Sequence, residues 1–199
     1  MVRHLAAGAA VLGVASFAGA VTTVYDNEAD FLAAIGDYLL EDFDQYTYGE
    51  YTEYTLDIGP MNGYAGTISA EGGANSYLWS GYGDMSTNSA LDWLRVDFTG
   101  LPTYSTGGFF YASDIGGYFV PGRQVVIELS NGFIYDFVPA SQTDFRGFLS
   151  TDELFWMTID APDDASYYWS SMDHFYIDSP APGALALLGL AGLMRRRRR

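Results

Sequence analysis

Through the middle of the chain, short runs that alternate apolar with polar residues recur, separated by glycine-rich breaks. In one of them Leu94, Val96 and Phe98 alternate with Arg95 and Asp97, the period of two that a half-buried strand requires. The runs VTTVY (21–25), LLEDF (39–43), YAGTISA (64–70), SYLWS (76–80) and GGFFYA (107–112) read as further strands, as do FRGFLS (145–150), LFWMTID (154–160) and DHFYI (173–177). Trp93 and Trp156 follow core-like strands and read as core residues. Asn131-Gly132 stands between two β-rich halves of QVVIELSNGFIYDFV (124–138), a strong hairpin signal. One segment has helical spacing instead. In NEADFLAAIG (27–36), Asp26 or Asn27 can cap the first turn and acidic residues occupy it. Phe31, Leu32 and Ile35 share a face and Gly36 ends the run, which predicts a helix over 28–35. About ten short strands with tight turns and one helix imply an all-β fold, an antiparallel jelly-roll-like β-sandwich with one short N-terminal helix.

Both ends break this pattern. Arg3, an apolar stretch from Leu5 to Phe17, and small residues at Ala18 and Ala20 read as a secretory signal that signal peptidase removes after Ala20. At the other end, Gly183 to Met194 is an apolar run about 18 Å long as a helix, too short to span a bilayer core of about 30 Å comfortably. Arg195, Arg196, Arg197, Arg198 and Arg199 follow it directly. Arginines there can snorkel to headgroups and stay on the cytoplasmic side, so the tail holds the chain transiently at the inner membrane with its body outside. The chain therefore divides into a signal peptide (1–20), a β-sandwich module (21–179) and a C-terminal segment (180–199), the module being flanked by two hydrophobic helical segments.

Pro180-Ala181-Pro182-Gly183, the apolar run and the arginine cluster together resemble the PEP-CTERM sorting signal of bacterial exported proteins, with Ala181 where the family name has Glu. That resemblance implies an exosortase-type membrane enzyme as partner, removal of the tail, and delivery to the cell surface or extracellular matrix. An ordinary tail anchor and a buried last helix are the alternatives. Within the module, FLAAIG, LEDFD, VDF, GGFF, LSNG, FRGFLS and MDHFYI occur in the order seen in many PEP-CTERM exported proteins of unassigned role, which resemble lectin-like or carbohydrate-binding β-sandwiches. His174 replaces the Asn common in the last motif. The resemblance implies glycan binding, with exopolysaccharide as the partner.

Composition removes several chemistries. There is no cysteine and no lysine, which excludes disulfides, thiolate metal sites, Schiff bases and a P-loop. His174 is the only histidine after residue 20, so a histidine-rich metal site is excluded, and no GxSxG elbow accompanies it. All 25 acidic residues lie between Asp26 and Asp178, against Arg95, Arg123 and Arg146, a module charge of −22. Such a surface repels nucleic acid and anionic membrane.

Two uses of the remaining residues stand out. Calcium takes carboxylate and carbonyl oxygens, and in jelly-roll binding modules it commonly ties the first strand to the last. Glu41, Asp42 and Asp44 on an early strand and Asp173 opening the last are the candidate ligands; unpaired surface charge is the alternative. Sugar binding needs exposed rings beside polar groups. Trp79 and Tyr82 in SYLWSGYGD, and Tyr167, Tyr168 and Trp169 in PDDASYYWSSMDH, are the candidates. Rings that only fill the sandwich are the alternative. The expectation is an exported, non-catalytic glycan-binding protein that requires no cofactor, with calcium as a candidate ion. A purely structural or adhesive protein and a carboxylate glycosidase are the other readings.

Overall fold

A computed structural model describes residues 20–49, 53–73, 76–162 and 167–180. Two antiparallel sheets form a sandwich. Sheet A is built from β1 (Thr22–Tyr25), β2 (Ile35–Glu41), β5 (Leu78–Ser80), β6 (Met85–Thr87), β8 (Thr103–Ser113), β11 (Phe145–Leu154) and β13 (Trp169–Pro180). Its order is β1-β11-β8-β13-β6-β5, with β2 also paired to β13. Sheet B is built from β3 (Thr55–Met61), β4 (Tyr64–Glu71), β7 (Trp93–Phe98), β9 (Val125–Leu129), β10 (Ile134–Phe137) and β12 (Trp156–Asp160), in the order β10-β9-β12-β7-β4-β3.

Alternation decides what lies between the sheets. Ile68, Leu94, Val96, Ile127, Met157 and Ile159 of sheet B meet Leu39, Met85, Phe110, Phe148, Met172, Phe175 and Ile177 of sheet A, all buried. Each such side chain contributes about 1.5–3 kcal/mol by leaving water. The residues one position away point outward, and this overturns one expectation. Trp93 and Trp156 are only half-buried, because each is in phase with the polar side of its strand: Trp93 with Arg95 and Asp97, Trp156 with Thr158 and Asp160.

The predicted helix forms as α1 (Glu28–Ala34), capped by Asn27, whose Oδ1 accepts from the Asp30 amide at 3.1 Å. Gly36 does not end it; the chain turns extended at Ile35, and the Gly36 amide donates to Asp178 Oδ2 at 2.8 Å. Phe31 packs with Ile35, Phe109, Phe145 and Tyr176, a second small core on the outer side of sheet A. The helix seats there because Gly147 leaves room: a Cβ on it would lie 2.4 Å from the Phe31 ring. The hairpin also forms, with β9 and β10 joined through Asn131-Gly132 and Gly132 at φ 83°. Leu129 donates to the Phe133 carbonyl at 2.9 Å, so three residues make the turn, with glycine in its left-handed position.

Strand β13 changes partner along one edge. Phe175 to Pro180 run beside β2, whereas Ser171 and Met172 run beside β6. Between them the register shifts, and His174 takes a positive φ of 46°. At this bulge the end of β2, the start of β6 and Asp173 come together. Pro180 closes β13 opposite Ile35. Residues 1–19 and 181–199, which carry the signal-peptide and sorting-signal readings apart from Ala20 and Pro180, lie outside the described residues. No helix among the described residues is long and apolar enough to cross a membrane.

Candidate functional site: an aromatic groove on sheet A

The helix covers one half of the outer face of sheet A, and loops cover the other, where Tyr111, Ser86, Ser113 and Ser171 are buried. There the pairing lays Trp79, Ser86, Ser171 and Tyr111 side by side across β5, β6, β13 and β8, with Trp169 one step along opposite Ser113. Trp79 and Trp169 line a groove of about 190 Å³ together with Ser86, Thr87, Asn88, Asp114 and Ile115. The walls come from sequence-local devices. Asp114 Oδ1 accepts from the amides of Gly116 at 2.8 Å and Tyr118 at 3.1 Å, which curls the segment after β8 over the sheet. Gly117 then lies against the Trp79 indole.

Beside the groove the rings continue. Tyr48 meets Trp79 edge-on with centroids 4.7 Å apart and stacks on Tyr82 at 4.8 Å. Tyr118 lies 6.2 Å from Tyr82. Tyr82 is 67% exposed and Tyr118 62%, so these rings face water rather than a core. A continuous aromatic surface of this kind marks an interaction site more often than a packing defect.

A buried polar network holds this surface from beneath. Tyr82 is at the tip of the turn from Gly81 to Asp84, closed by the Gly81 amide on the Asp84 carbonyl at 2.9 Å. The Asp84 side chain folds back under the turn and is 1% exposed. Its Oδ2 accepts from the Tyr111 hydroxyl at 2.6 Å, and Gln142 Nε2 donates to that hydroxyl at 2.9 Å. Among the described residues Oδ1 has no hydrogen-bond partner within bonding geometry, and it occupies the space a Cβ on Gly81 would need, 1.7 Å away. Burial pushes the Asp84 carboxyl up to about 6. The Tyr111 hydroxyl opposes that, the Asp173 charge adds to it, and the amides of Tyr82 and Asp84 pull weakly back. Tyr111 is raised well above the ordinary phenol range, first by burial and then by the Asp84 charge.

The residues named from sequence separate into groups. Trp79 and Trp169 share the groove, and Tyr82 flanks it through Tyr48. Tyr168 is elsewhere: the Arg123 guanidinium lies 3.9 Å from its ring centroid and Arg123 also donates to its hydroxyl. Tyr167 is exposed in the segment leading into β13, with a positive φ of 59°, and does not line the groove. Among the carboxylates named for calcium, Glu41 Oε1 accepts from the Phe43 amide and from Gln45, and Asp42 Oδ1 from the Asp44 amide, so both turn their own chain. Asp173 is bonded to the His174 amide at 2.6 Å and to its ring at 3.0 Å, and is raised by burial, with Asp44 adding to the rise. Among the described residues, no three His, Asp or Glu side chains are placed to hold a metal ion.

Sequence reading missed Tyr48, Tyr118, Asn88, Asp114 and the Asp84–Tyr111–Gln142 support. Two local signals point to part of it. Gly81-Tyr82-Gly83-Asp84 has the make-up of a tight turn that presents its aromatic residue, and Asp114-Ile115-Gly116-Gly117 that of an Asx turn.

No family model, no curated protein and no solved structure matches the chain.

Proposed function

We propose that this chain is exported through its N-terminal signal, held briefly at the membrane by its C-terminal tail, and released to the cell surface or extracellular matrix. There its sandwich binds glycan without catalysis. The observation that carries the binding reading is that Trp79 and Trp169 line one small groove that also holds unused hydrogen-bonding groups. The Asn88 side-chain amide and Asp114 Oδ2 make no hydrogen bond to a described residue; the Ser86 and Thr87 hydroxyls, which also line the groove, already donate to the Trp79 and Ser89 carbonyls. Apolar walls with a few convergent polar groups suit a sugar, whose ring faces are apolar and whose rim is hydroxylated. A groove of about 190 Å³ admits one ring, such as the end or a side branch of a chain. The non-catalytic reading is supported by Asp84: the carboxyl whose affinity for protons best suits a general acid is sealed beneath Gly81, out of a substrate's reach.

A glycan array on the secreted protein tests the binding. Trp79→Ala with Trp169→Ala is expected to weaken retained ligands at least about tenfold, or 1.4 kcal/mol, while the fold persists. A wild type that retains no glycan leaves the structural or adhesive alternative. Turnover of a bound glycan establishes the glycosidase instead. Intact-mass measurement of the secreted protein tests the export route, with Val21 expected as the first residue and Met1 as the result that overturns it.

A further inference from the structure

The outer face of sheet B carries a second aromatic site that is independent of the first. The ladders set its pattern. Arg95 of β7 is opposite Thr158 of β12, and Thr158 is opposite Glu128 of β9. One row to one side, Trp93 is opposite Glu71 of β4, and Asp160 is opposite Val126. One row to the other, Trp156 is opposite Asp97. The two tryptophans therefore stand diagonally across adjacent strands, with Cα atoms roughly 14 Å apart from strand rise and spacing. Together with Arg95, Glu128, Thr158 and Asp160 they line a trough of about 310 Å³, larger than the groove on sheet A.

Charge specifies what fits there. The Arg95 guanidinium lies 4.9 Å from the Trp156 ring centroid and is held by Asp97 at 2.7 Å and Glu71 at 3.6 Å. Its charge is thus already compensated. Glu128 and Asp160 remain, and neither pairs with an arginine among the described residues. Asp160 is half-buried, and loss of water raises its affinity for a proton, so it gains from any cation that comes to it. The half-exposed Trp93 indole favours the same charge, whereas the Trp156 ring already carries Arg95. An anionic polymer is excluded by these carboxylates and by the −22 charge of the module.

We propose that this trough binds an amine-bearing polysaccharide, a hexosamine polymer with free amino groups, whose sugar rings lie against Trp93 and Trp156 and whose ammonium groups meet Glu128 and Asp160. The diagonal is a few sugar units long, so the site takes the middle of a chain, whereas the groove on sheet A takes an end. The proposal does not depend on that groove.

The experiment is calorimetry on the secreted protein with two probes, a chitosan oligosaccharide and its fully N-acetylated counterpart, at low and at half-molar salt. The free-amine oligosaccharide is expected to bind at low salt at least ten times more tightly than the acetylated one and to weaken as salt rises. The variant Glu128→Gln with Asp160→Asn removes two of 25 acidic charges; it is expected to lose at least tenfold in affinity with an unchanged melting temperature. Trp79→Ala with Trp169→Ala is expected to leave this binding intact, which separates the two sites. Equal binding of both oligosaccharides overturns the proposal, as does no binding of the free-amine form. An unchanged affinity in the Glu128/Asp160 variant also overturns it, because a polycation held only by the general acidity of the module would ignore two charges.

Discussion

The two aromatic faces are supported in different ways. On sheet A the exposed rings Tyr48, Tyr82 and Tyr118 sit on turns, and what holds the Tyr82 turn is a buried ionisable group, Asp84, bonded to Tyr111. On sheet B, Trp93 and Trp156 sit on strands, and what holds them is the ladder itself plus an arginine wedged among acids at the surface. A turn has few hydrogen bonds of its own, so its geometry is borrowed from the group packed beneath it. A central strand is fixed by neighbours on both sides. The first face should therefore respond to pH and to small steric changes below it, and the second should not.

The largest expected effect is that of pH. Asp84 takes up its proton near 6 in the folded state but near 3.8 when unfolded, so the folded state binds more protons between those values. Stability is fully present below about pH 4 as far as this group is concerned and is lost as pH rises through 6. The loss is on the order of 3 kcal/mol. Burial raises Asp173 as well, which adds to the same trend. Chemical denaturation between pH 4 and 8 measures it, and Asp84→Asn should flatten the profile. A wild-type profile as flat as that variant's would show that the Tyr82 turn does not rest on a buried carboxyl.

Gly81→Ala comes next. Its new methyl would meet Asp84 Oδ1, and overpacking of this kind costs about 1–3 kcal/mol. The melting temperature should fall by several degrees, at about 2–4 °C per kcal/mol in a chain of this size. Ligands of the sheet A groove should weaken, while the sheet B trough keeps its affinity. Loss at both faces would mean that the faces are not independent.

A smaller effect is expected from Trp156→Ala. It removes the ring that Arg95 covers, worth about 0.5–1 kcal/mol at an exposed site, and should leave the pH profile unchanged. A steeper pH dependence in this variant would couple the two faces through the core.

The smallest expected effect is that of calcium. With no ligand set assembled among the described residues, calcium at fixed ionic strength should move the melting temperature by less than about 1 °C. A rise of several degrees would show that Asp44, Asp84 and Asp173 draw together around an ion at the β13 bulge. That would make metal, rather than protonation, the natural relief of the buried carboxyl.

How much of this could be read in advance follows from the range of the interactions. The capping by Asn27, the acidic first turn and the apolar face at Phe31 are local, and α1 forms where they predict it. The Asn131-Gly132 turn is local as well, since only the left-handed φ of one residue is at stake. Even the outward position of Trp93 was legible: stepping back one residue from Leu94 places it with Arg95 and Asp97, on the polar side of the run. Trp156 follows the same rule beside Met157. By contrast, nothing near Tyr48 in the chain points to Trp79, and nothing near Asp84 points to Tyr111 or Gln142.

The class of fold, the helix, the main hairpin, the acidity of the module and the apolar side of a strand such as 94–98 are thus legible in the chain alone. These follow from torsional preference and from a period of two, and they need no knowledge of the partner strand. The shared groove of Trp79 and Trp169, the diagonal of Trp93 and Trp156, and the burial of Asp84 emerge only once the strands are paired. Those depend on register between strands far apart in the chain and on the change of partner along β13. One residue's shift in register would turn every such side chain to the other face.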